Sequence, residues 1–526
     1  MTKLTNKYWY LILIFALISA VSNAGMVYGG YRLSSVLQGV FESDIKAVTR
    51  DTIIIGCSFI ISFFTHYIAS LVQVVTTKKL TIELKMLICA KINSLTDKEY
   101  DEYKKGDFIS WLTKDVDTIG NLCFSSLFNV TKSLSAVVLA TYAVFTFHWI
   151  IGLSMFGITL LMIILPSLFQ GYVSKKVKNM SKQNEEFSQR IENLLNGYRI
   201  FSYSNEKRIF EKLIKVANVR EQKAVASYGK ASALQEFVLY GLFISSQMIM
   251  LFVSIFLSLN GQTEMGAMLA VTNIAGTFFN GVNGLFGSAF TIKAGSVIFK
   301  KFEFAKIDLD SQPRQIDFQS LQIENVNYAV EEKQIFSNLN LKIDANKKYL
   351  IVGESGKGKT TLFKLIFGLI DNYEGDLKIN GELDYKSIES KDLKNLMAYL
   401  PQETIIFNDT LRNNISLFNE DISDDKIIKA IEQVNLTEWF KKHNLDSEIN
   451  SESKNVSGGE MQRIAIARAI VQDKPIMILD EVTANLDKEN REIIENLVGK
   501  LDKTVLYISH TTSAENNQNF NEVIKL

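Results

Sequence analysis

The sequence predicts an all-α membrane domain of six transmembrane helices followed by a soluble α/β domain. Three observations carry this. A chain of 526 residues is too long for one ordinary core. Its first part holds long runs without formal charge, whereas from Ile316 onward short alternating strands interleave with helical patterns. The overall 47% hydrophobic and 22% charged residues look ordinary only because these two parts are averaged. The expected boundaries are a membrane domain at 1–305, a linker at 306–315 containing Pro313, and the α/β domain at 316–526.

The spans follow in order. Tyr8–Tyr28 is uncharged and too long for a signal core, so it reads as a retained helix. Thr52–Thr77 contains only His66 as a titratable imidazole. Ser133–Ser174 runs for about 42 residues, enough for two crossings at roughly 20 each, with a turn at His148-Trp149. Phe237–Thr263 and Met265–Ile292 are separated by Glu264. Lysines crowd the segment after the second span (Lys78, Lys79, Lys85, Lys91) and the one from Lys175 to Lys230. Because basic loops stay inside, both termini are expected in the cytoplasm of a bacterium, with the chain in its plasma membrane. Arg32, Lys46 and Arg50 fall in the loop expected between the first two spans. Apolar residues every three or four positions in Lys175–Lys230 predict helices continuing past the membrane.

Some classes are excluded. Lys plus Arg balances Asp plus Glu at 57 each, so no nucleic-acid partner is expected. Cys57, Cys89 and Cys123 are too few and too scattered for a disulfide framework or a Cys-rich metal site.

In the second part, Gly353-Glu-Ser355-Gly356-Lys-Gly358-Lys359-Thr360 follows the strand Lys348–Val352 and opens a helix at Thr361. That order is a phosphate loop: glycines let backbone N–H groups curl around an anion, and the helix N-terminus adds its positive end. Lys359 would reach the terminal phosphates and the Thr360 hydroxyl would ligate Mg²⁺. Further on, the apolar strand Ile476–Leu479 ends in Asp480 and Glu481. Asp480 would hold the metal shell and Glu481 would polarise the attacking water. Between them, Val456-Ser457-Gly458-Gly459-Glu460 begins a basic helical run, Met461–Ile470. A second anion-binding helix start in one small domain needs a reason.

With these motifs in this order, the chain resembles the ATP-binding cassette (ABC) transporter family, over nearly its whole length. The resemblance implies an exporter-type half-transporter that binds ATP and Mg²⁺ and hydrolyses ATP between two cassettes. Ser457, Gly458 and Gly459 would then contact the γ-phosphate held by the partner chain. Tyr328 fits the residue that stacks on adenine. Gln402, in Tyr399-Leu-Pro-Gln, fits the glutamine that touches Mg²⁺ and the attacking water. Asp487, in Ala484-Asn-Leu-Asp, fits the D-loop, and His510, in Tyr507-Ile-Ser-His, fits the switch histidine. Lys105–Asp117 and Asn193–Glu206 look like the two coupling segments. Three departures stand out. Glu460 replaces the usual glutamine and would weaken phosphate binding modestly. Ala484-Asn485 replaces the usual Ser-Ala. Asn450–Asn455 lacks a clear Gly-Glu-x-Gly pattern. Neither a regulatory domain after His510 nor a peptidase domain before the first span is expected.

A dimer is implied, since one chain carries one phosphate loop, one Ser-Gly-Gly segment and six spans. A homodimer is the simpler case and Glu460 keeps a heterodimer open. The expected partners are a second half-transporter, membrane lipid and a transported solute. Without Asp, Glu, Lys or Arg in the spans as drawn, that solute is expected to be neutral or amphipathic, such as a peptide or lipid-like molecule. Asn273, Gly276, Thr277, Asn280, Gly281, Asn283, Gly284, Gly287 and Ser288 would line its path or permit close packing. His66, Gln73 and Gln247 are further candidates. The alternatives are an importer on the same fold, or a membrane ATPase that signals or gates without moving solute.

Overall fold

A computed structural model describes residues 6–300, 302, 314–330, 333–354, 356–449, 456–483, 488–509 and 519–526. The chain divides into two compact units, Met1–Ile307 and Asp308–Leu526. Residues 306–313 of the expected linker lie outside the described residues.

The first unit is helical. Its long helices are α1 (Trp9–Phe41), α2 (Ile45–Asn93), α4 (Lys105–Phe147), α5 (Trp149–Asn196), α7 (Lys207–Leu259) and α8 (Ala267–Lys300). Two short helices, α3 (Asp97–Glu102) and α6 (Tyr198–Tyr203), separate α2 from α4 and α5 from α7. Stretches of α1, α2, α4, α5 and α7 are long and apolar enough to cross a membrane. Helix α8 is 34 residues long but is softened by Asn273, Asn280, Asn283 and five glycines. The predicted turn lies at His148, whose extended backbone (φ −167°, ψ 141°) breaks the helix and whose Nδ1 accepts the Ile150 N–H.

Small residues let the helices close on one another. Ser22 Oγ donates to Ser62 O at 3.0 Å and Ser62 Oγ to Ser22 O at 2.8 Å, joining α1 to α2. A Cβ on Gly25 would lie 2.8 Å from Ser58 O, so that seam requires glycine. The 48 residues of α5 and 53 of α7 span about 72 and 80 Å at 1.5 Å per residue, more than twice a roughly 30 Å hydrocarbon core. These helices do continue beyond membrane depth, as their sequence periodicity predicts.

Three sequence expectations need correction. Helix α1 runs to Phe41 and α2 starts at Ile45, so Arg32, Lys46 and Arg50 lie on helices, not in a loop. Asp51 supplies the reason for two of them: it is 1% exposed and pairs with Arg50 at 3.2 Å and Arg32 at 3.5 Å. Next, Lys105–Asp117 is not a separate coupling helix but the start of α4. The separate short helix is α3, begun by the reciprocal Thr96–Glu99 capping box and ended by extended Tyr103 and Lys104. Phe108 and Trp111 instead pack inward with Tyr103 and Phe302. Finally, the spans are not free of charge, because Lys132 lies within α4.

The second unit is α/β. Strands β1 (Ser320–Val330), β2 (Lys333–Asp344), β4 (Glu374–Ile379) and β5 (Leu383–Asp384) form an antiparallel sheet in the order β2-β1-β4-β5. A parallel sheet has the order β11-β3-β10-β9-β6, from Glu522–Lys525, Lys348–Val352, Thr504–Ser509, Ile476–Asp480 and Met397–Leu400. Both faces of its central strands are covered, which is why they read as unbroken apolar runs. Tyr349, Ile351, Ile476, Ile478, Leu506 and Ile508 face the antiparallel sheet's core. Leu350, Val352, Met477, Leu479, Val505 and Tyr507 face a second core built with helices such as Asp424–Gln433 and Gly458–Val471.

Candidate functional site

Register brings the motifs to one edge. In the parallel sheet, Ser509 pairs with Val352, and Ile508 pairs with Asp480. Leu400 pairs with Leu479. The C-terminal ends of β3, β10, β9 and β6 are therefore neighbours. Gly353 follows the first, Asp480 and Glu481 close the third, and Gln402 lies exposed just past the fourth. This is the edge at which open α/β sheets present ligand sites. His510 follows Ser509 but lies outside the described residues, as do Ser355, Asp487 with its Ala484–Asp487 segment, and Asn450–Asn455.

The loop Gly353–Gly358 leads into helix α9 (Lys359–Ile366). Gly356 and Gly358 have φ of 84° and 94°, where L side chains are strained. At Gly358 a Cβ would also meet Ile335 Cγ2 at 2.8 Å, so both backbone and space demand glycine. Lys359 is 6% exposed, and its ammonium donates to Gly353 O at 2.5 Å and Glu354 O at 3.2 Å. The lysine thus lies folded across its own loop. Thr360 is exposed and Thr361 half-buried on the first turn.

Asp480 is 8% exposed and accepts from the Tyr399 hydroxyl at 3.2 Å. Tyr399 stacks on Phe363 of α9, with centroids 4.2 Å apart. Burial, and then the Asp480 charge, push the Tyr399 phenol well above its ordinary range, so it remains a donor. Glu481 has φ 49°, a left-handed conformation uncommon for a residue with a side chain, and its N–H donates to Ile508 O at 3.1 Å. Strain of this kind collects at functional positions. The buried Asp480 carboxylate and exposed Thr360 hydroxyl are hard oxygen donors, which suits Mg²⁺.

Ser457 is the N-cap of α14 (Gly458–Val471), in a capping box with Glu460. Gly459 is buried, and Ser457 and Gly458 are exposed. Tyr328 lies on β1 opposite Phe336 and packs half-buried against the core.

Sequence reasoning missed three residues. Tyr399 was only a neighbour in the Gln402 motif. Arg468 lay in the basic run of α14 without a role. It donates to Asn414 O at 2.7 Å and Ile405 O at 3.0 Å, tying α14 to the segment after Gln402. Lys132 lay one residue outside a charge-free run. Its helical spacing with Asn129, Ser133 and Ala136 is the signal that would have placed it on one face with them.

In the membrane unit, α1, α4 and α8 border an open cavity of 670 Å³ whose lining includes Asn23, Lys132, Ser133, Thr277 and Asn280. Gly281 and Gly284 serve packing as well as lining. A Cβ on Gly281 would lie 2.9 Å from Val137 Cγ2, and one on Gly284 2.3 Å from Ser133 Oγ. With its amide turned so that the oxygen accepts the Gly276 N–H at 3.1 Å and the nitrogen donates to Thr272 O at 2.9 Å, Gln247 joins α7 to α8. His66, Gln73 and Gln247 are not among the lining residues.

Comparison with known proteins agrees with this organisation. Residues 11–282 match the ABC transporter transmembrane region and residues 336–484 the ABC transporter domain. The chain belongs to the ABC transporter family: it is an integral membrane protein and an ATP-hydrolysing transporter, with one membrane region and one cassette. It is 25% identical to the transport/processing ATP-binding protein ComA of Streptococcus pneumoniae, over 95% of this chain and 71% of that protein. It is also 25% identical to the ATP-dependent lipid A-core flippase of Desulfotalea psychrophila, over 98% of this chain and 91% of that one. The fold matches a bacterial Atm1-family ABC exporter solved with ATP bound, with TM-score 0.80 and 17% identity over 99% of this chain and 93% of that structure.

Proposed function

We propose that the chain is the subunit of a dimeric, Mg²⁺-dependent ATP-driven exporter of an amphipathic solute. It would sit in a bacterial plasma membrane with both termini and the cassette in the cytoplasm. The observation that carries this reading is the meeting of the ends of β3, β9 and β10 at one sheet edge. That edge gathers a loop for phosphates, a carboxylate pair and the residue before His510, with Ser457 on a separate helix start. Similarity to an export-type fold and to two named transport proteins supports the direction of transport.

In this reading Lys359 leaves the carbonyls of its own loop for the terminal phosphates, and backbone N–H groups of Gly356 and Gly358 cradle them. Tyr328 stacks on adenine. Asp480, Thr360 and Gln402 would hold Mg²⁺, which neutralises phosphate charge when bound. Glu481 takes the proton of the attacking water, and His510 contacts the γ-phosphate. Ser457, Gly458 and Gly459 of one chain, with Asp487 of the D-loop, complete the site of the other. Each long pair of helices ends in an exposed short segment. Ile200 and Tyr203 of α6, 70% and 84% exposed, suit it to docking on a cassette.

Mixing Glu481→Gln chains with Ser457→Arg chains tests the dimer. Each variant alone should be inactive, and the mixture should recover activity through one intact site. Monomers that hydrolyse ATP without dimer formation would refute the composite site. Solute flux in proteoliposomes tests export, and ATP hydrolysis without flux of any solute would favour gating.

A further inference from the structure

The cavity between α1, α4 and α8 carries one charge among its described lining residues. Among its lining residues Lys132 is the sole ionisable side chain. Fifteen residues separate it from the α4 end at Phe147, about 22 Å of helix, which is less than the roughly 30 Å of bilayer hydrocarbon. A cation at such depth needs water, a carboxylate or a ligand. Elsewhere in the unit the chain supplies such a pairing internally, since Asp51 is matched by Arg50 at 3.2 Å and Arg32 at 3.5 Å. Among the described residues no carboxylate lines this cavity; Glu236 lines a neighbouring one that shares Asn280.

The surroundings are built to hold the position. Asn23 Nδ2 donates to Lys132 O at 2.9 Å and to Ser135 Oγ at 2.7 Å, fixing α1 to α4 where the lysine departs. Asn129, Lys132, Ser133 and Ala136 recur at helical spacing and line one wall. Thr277 and Asn280 of α8 line another wall. Helix α8 closes on α4 at Gly284, yet a Cβ on Gly287 would meet nothing within 4 Å, so room remains beside it. Residues bearing one ammonium, side-chain amides and hydroxyls on two helices therefore line the same space. Several spread donors suit a tetrahedral anion with many acceptor lone pairs better than a planar carboxylate.

We propose that Lys132, with Asn129, Ser133, Thr277 and Asn280, forms a binding site for a phosphate-type oxyanion carried by the transported solute. This rests on the transport reading and narrows it: of the neutral or amphipathic solutes that the sequence leads us to expect, it selects an amphipathic one that is anionic at one end.

The test is native mass spectrometry of the full chain released from nanodiscs of phosphatidylcholine containing a minor fraction of phosphatidic acid. Wild type should retain phosphatidic acid selectively. Lys132→Met should lower that retention about tenfold, as loss of a charge-assisted contact implies, and Lys132→Arg should keep it. Asn280→Asp places a carboxylate in the same space and should lower retention as well, which keeps the test open should Lys132→Met fail to fold. Added inorganic phosphate distinguishes the sources. Displacement of the lipid supports a site for the free oxyanion, and persistence supports one for a lipid-borne phosphate. Equal retention by wild type, Lys132→Met and Asn280→Asp, or no preference over phosphatidylcholine in wild type, overturns the proposal. A wild type that hydrolyses no ATP would instead refute the transport reading, whatever lipid it retains.

Discussion

The Glu460 carboxylate accepts both the N–H and the hydroxyl of Ser457, at 2.7 and 2.8 Å, while Ser457 Oγ accepts from the Glu460 N–H at 3.3 Å. The pair satisfies the open end of α14, but it also turns the serine proton inward and puts negative charge where a phosphate is proposed to arrive. A glutamine caps the same helix without that charge. Glu460→Gln should therefore lower KM for ATP about three- to tenfold, with little change in thermal stability. An unchanged or raised KM would show that the carboxylate does not oppose the nucleotide.

Glu481 combines a proposed chemical role with a left-handed backbone at φ 49°. Glu481→Gln should still bind ATP and lose turnover by about 10² or more, the range for removing a positioned base. Glu481→Val should in addition lower stability by about 1–3 kcal/mol, because a β-branched side chain is strained there. Equilibrium ATP binding, steady-state turnover and thermal melts of the two variants separate these effects.

Lys359 donates to the carbonyls of Gly353 and Glu354. Lys359→Ala removes the cation proposed for the terminal phosphates and should weaken ATP affinity about tenfold or more, in the range of a hydrogen bond to a charged group. Titration with a non-hydrolysable ATP analogue checks it; unchanged affinity would count against the phosphate-loop assignment.

Much of this was legible in the sequence, and the reason is physical. Glycines at 356 and 358 are demanded by local backbone sign, and the Asp480–Glu481 pair by the end of one strand, so both can be read from a short segment. Charge-free runs reported the spans because the bilayer acts on composition. What stayed hidden depends on meetings between distant segments. Tyr399 meets Asp480 across 81 positions, and Arg468 meets Asn414 across 54. Lys132 was hidden for another reason: a charge-free run is bounded by its nearest charge, so the boundary residue is counted out of the helix to which it belongs. Asp51, Arg32 and Arg50 escaped in the same way, because mutual pairing lets helices carry charge beyond their apolar stretch.

Tyr399→Phe keeps the ring that stacks on Phe363 and removes the donor to Asp480. With the carboxylate less firmly oriented, the Mg²⁺ concentration giving half-maximal turnover should rise about three- to tenfold, in keeping with outer-shell partners of ligands. Turnover measured across Mg²⁺ at saturating ATP tests this; an unaltered Mg²⁺ dependence would separate the tyrosine from the metal.

Arg468 bonds two backbone carbonyls, at Asn414 and Ile405, and lies 5.5 Å over the Phe407 ring. Arg468→Ala should destabilise the cassette by about 2–3 kcal/mol, because the carbonyls lose a charged donor. Chemical denaturation followed by cassette tyrosine and tryptophan fluorescence reads the loss.

The length of α5 and α7 has a mechanical consequence. Connected by the short segment 197–206 that holds the six residues of α6, the two form a beam whose far end lies about 70–80 Å from the turn-side ends at the membrane. A tilt of about 5° at one end displaces the other by roughly 6–7 Å over such a rise. Conversely, a motion of that size at α6 needs only a slight rotation of side-chain layers within the bilayer. The beam trades travel for force. Stiffness along its solvent-exposed middle, set by ordinary helix-forming residues far from any ligand, then fixes how much of a push survives the journey. Glycines inserted there would blunt that transmission while touching neither nucleotide nor cargo.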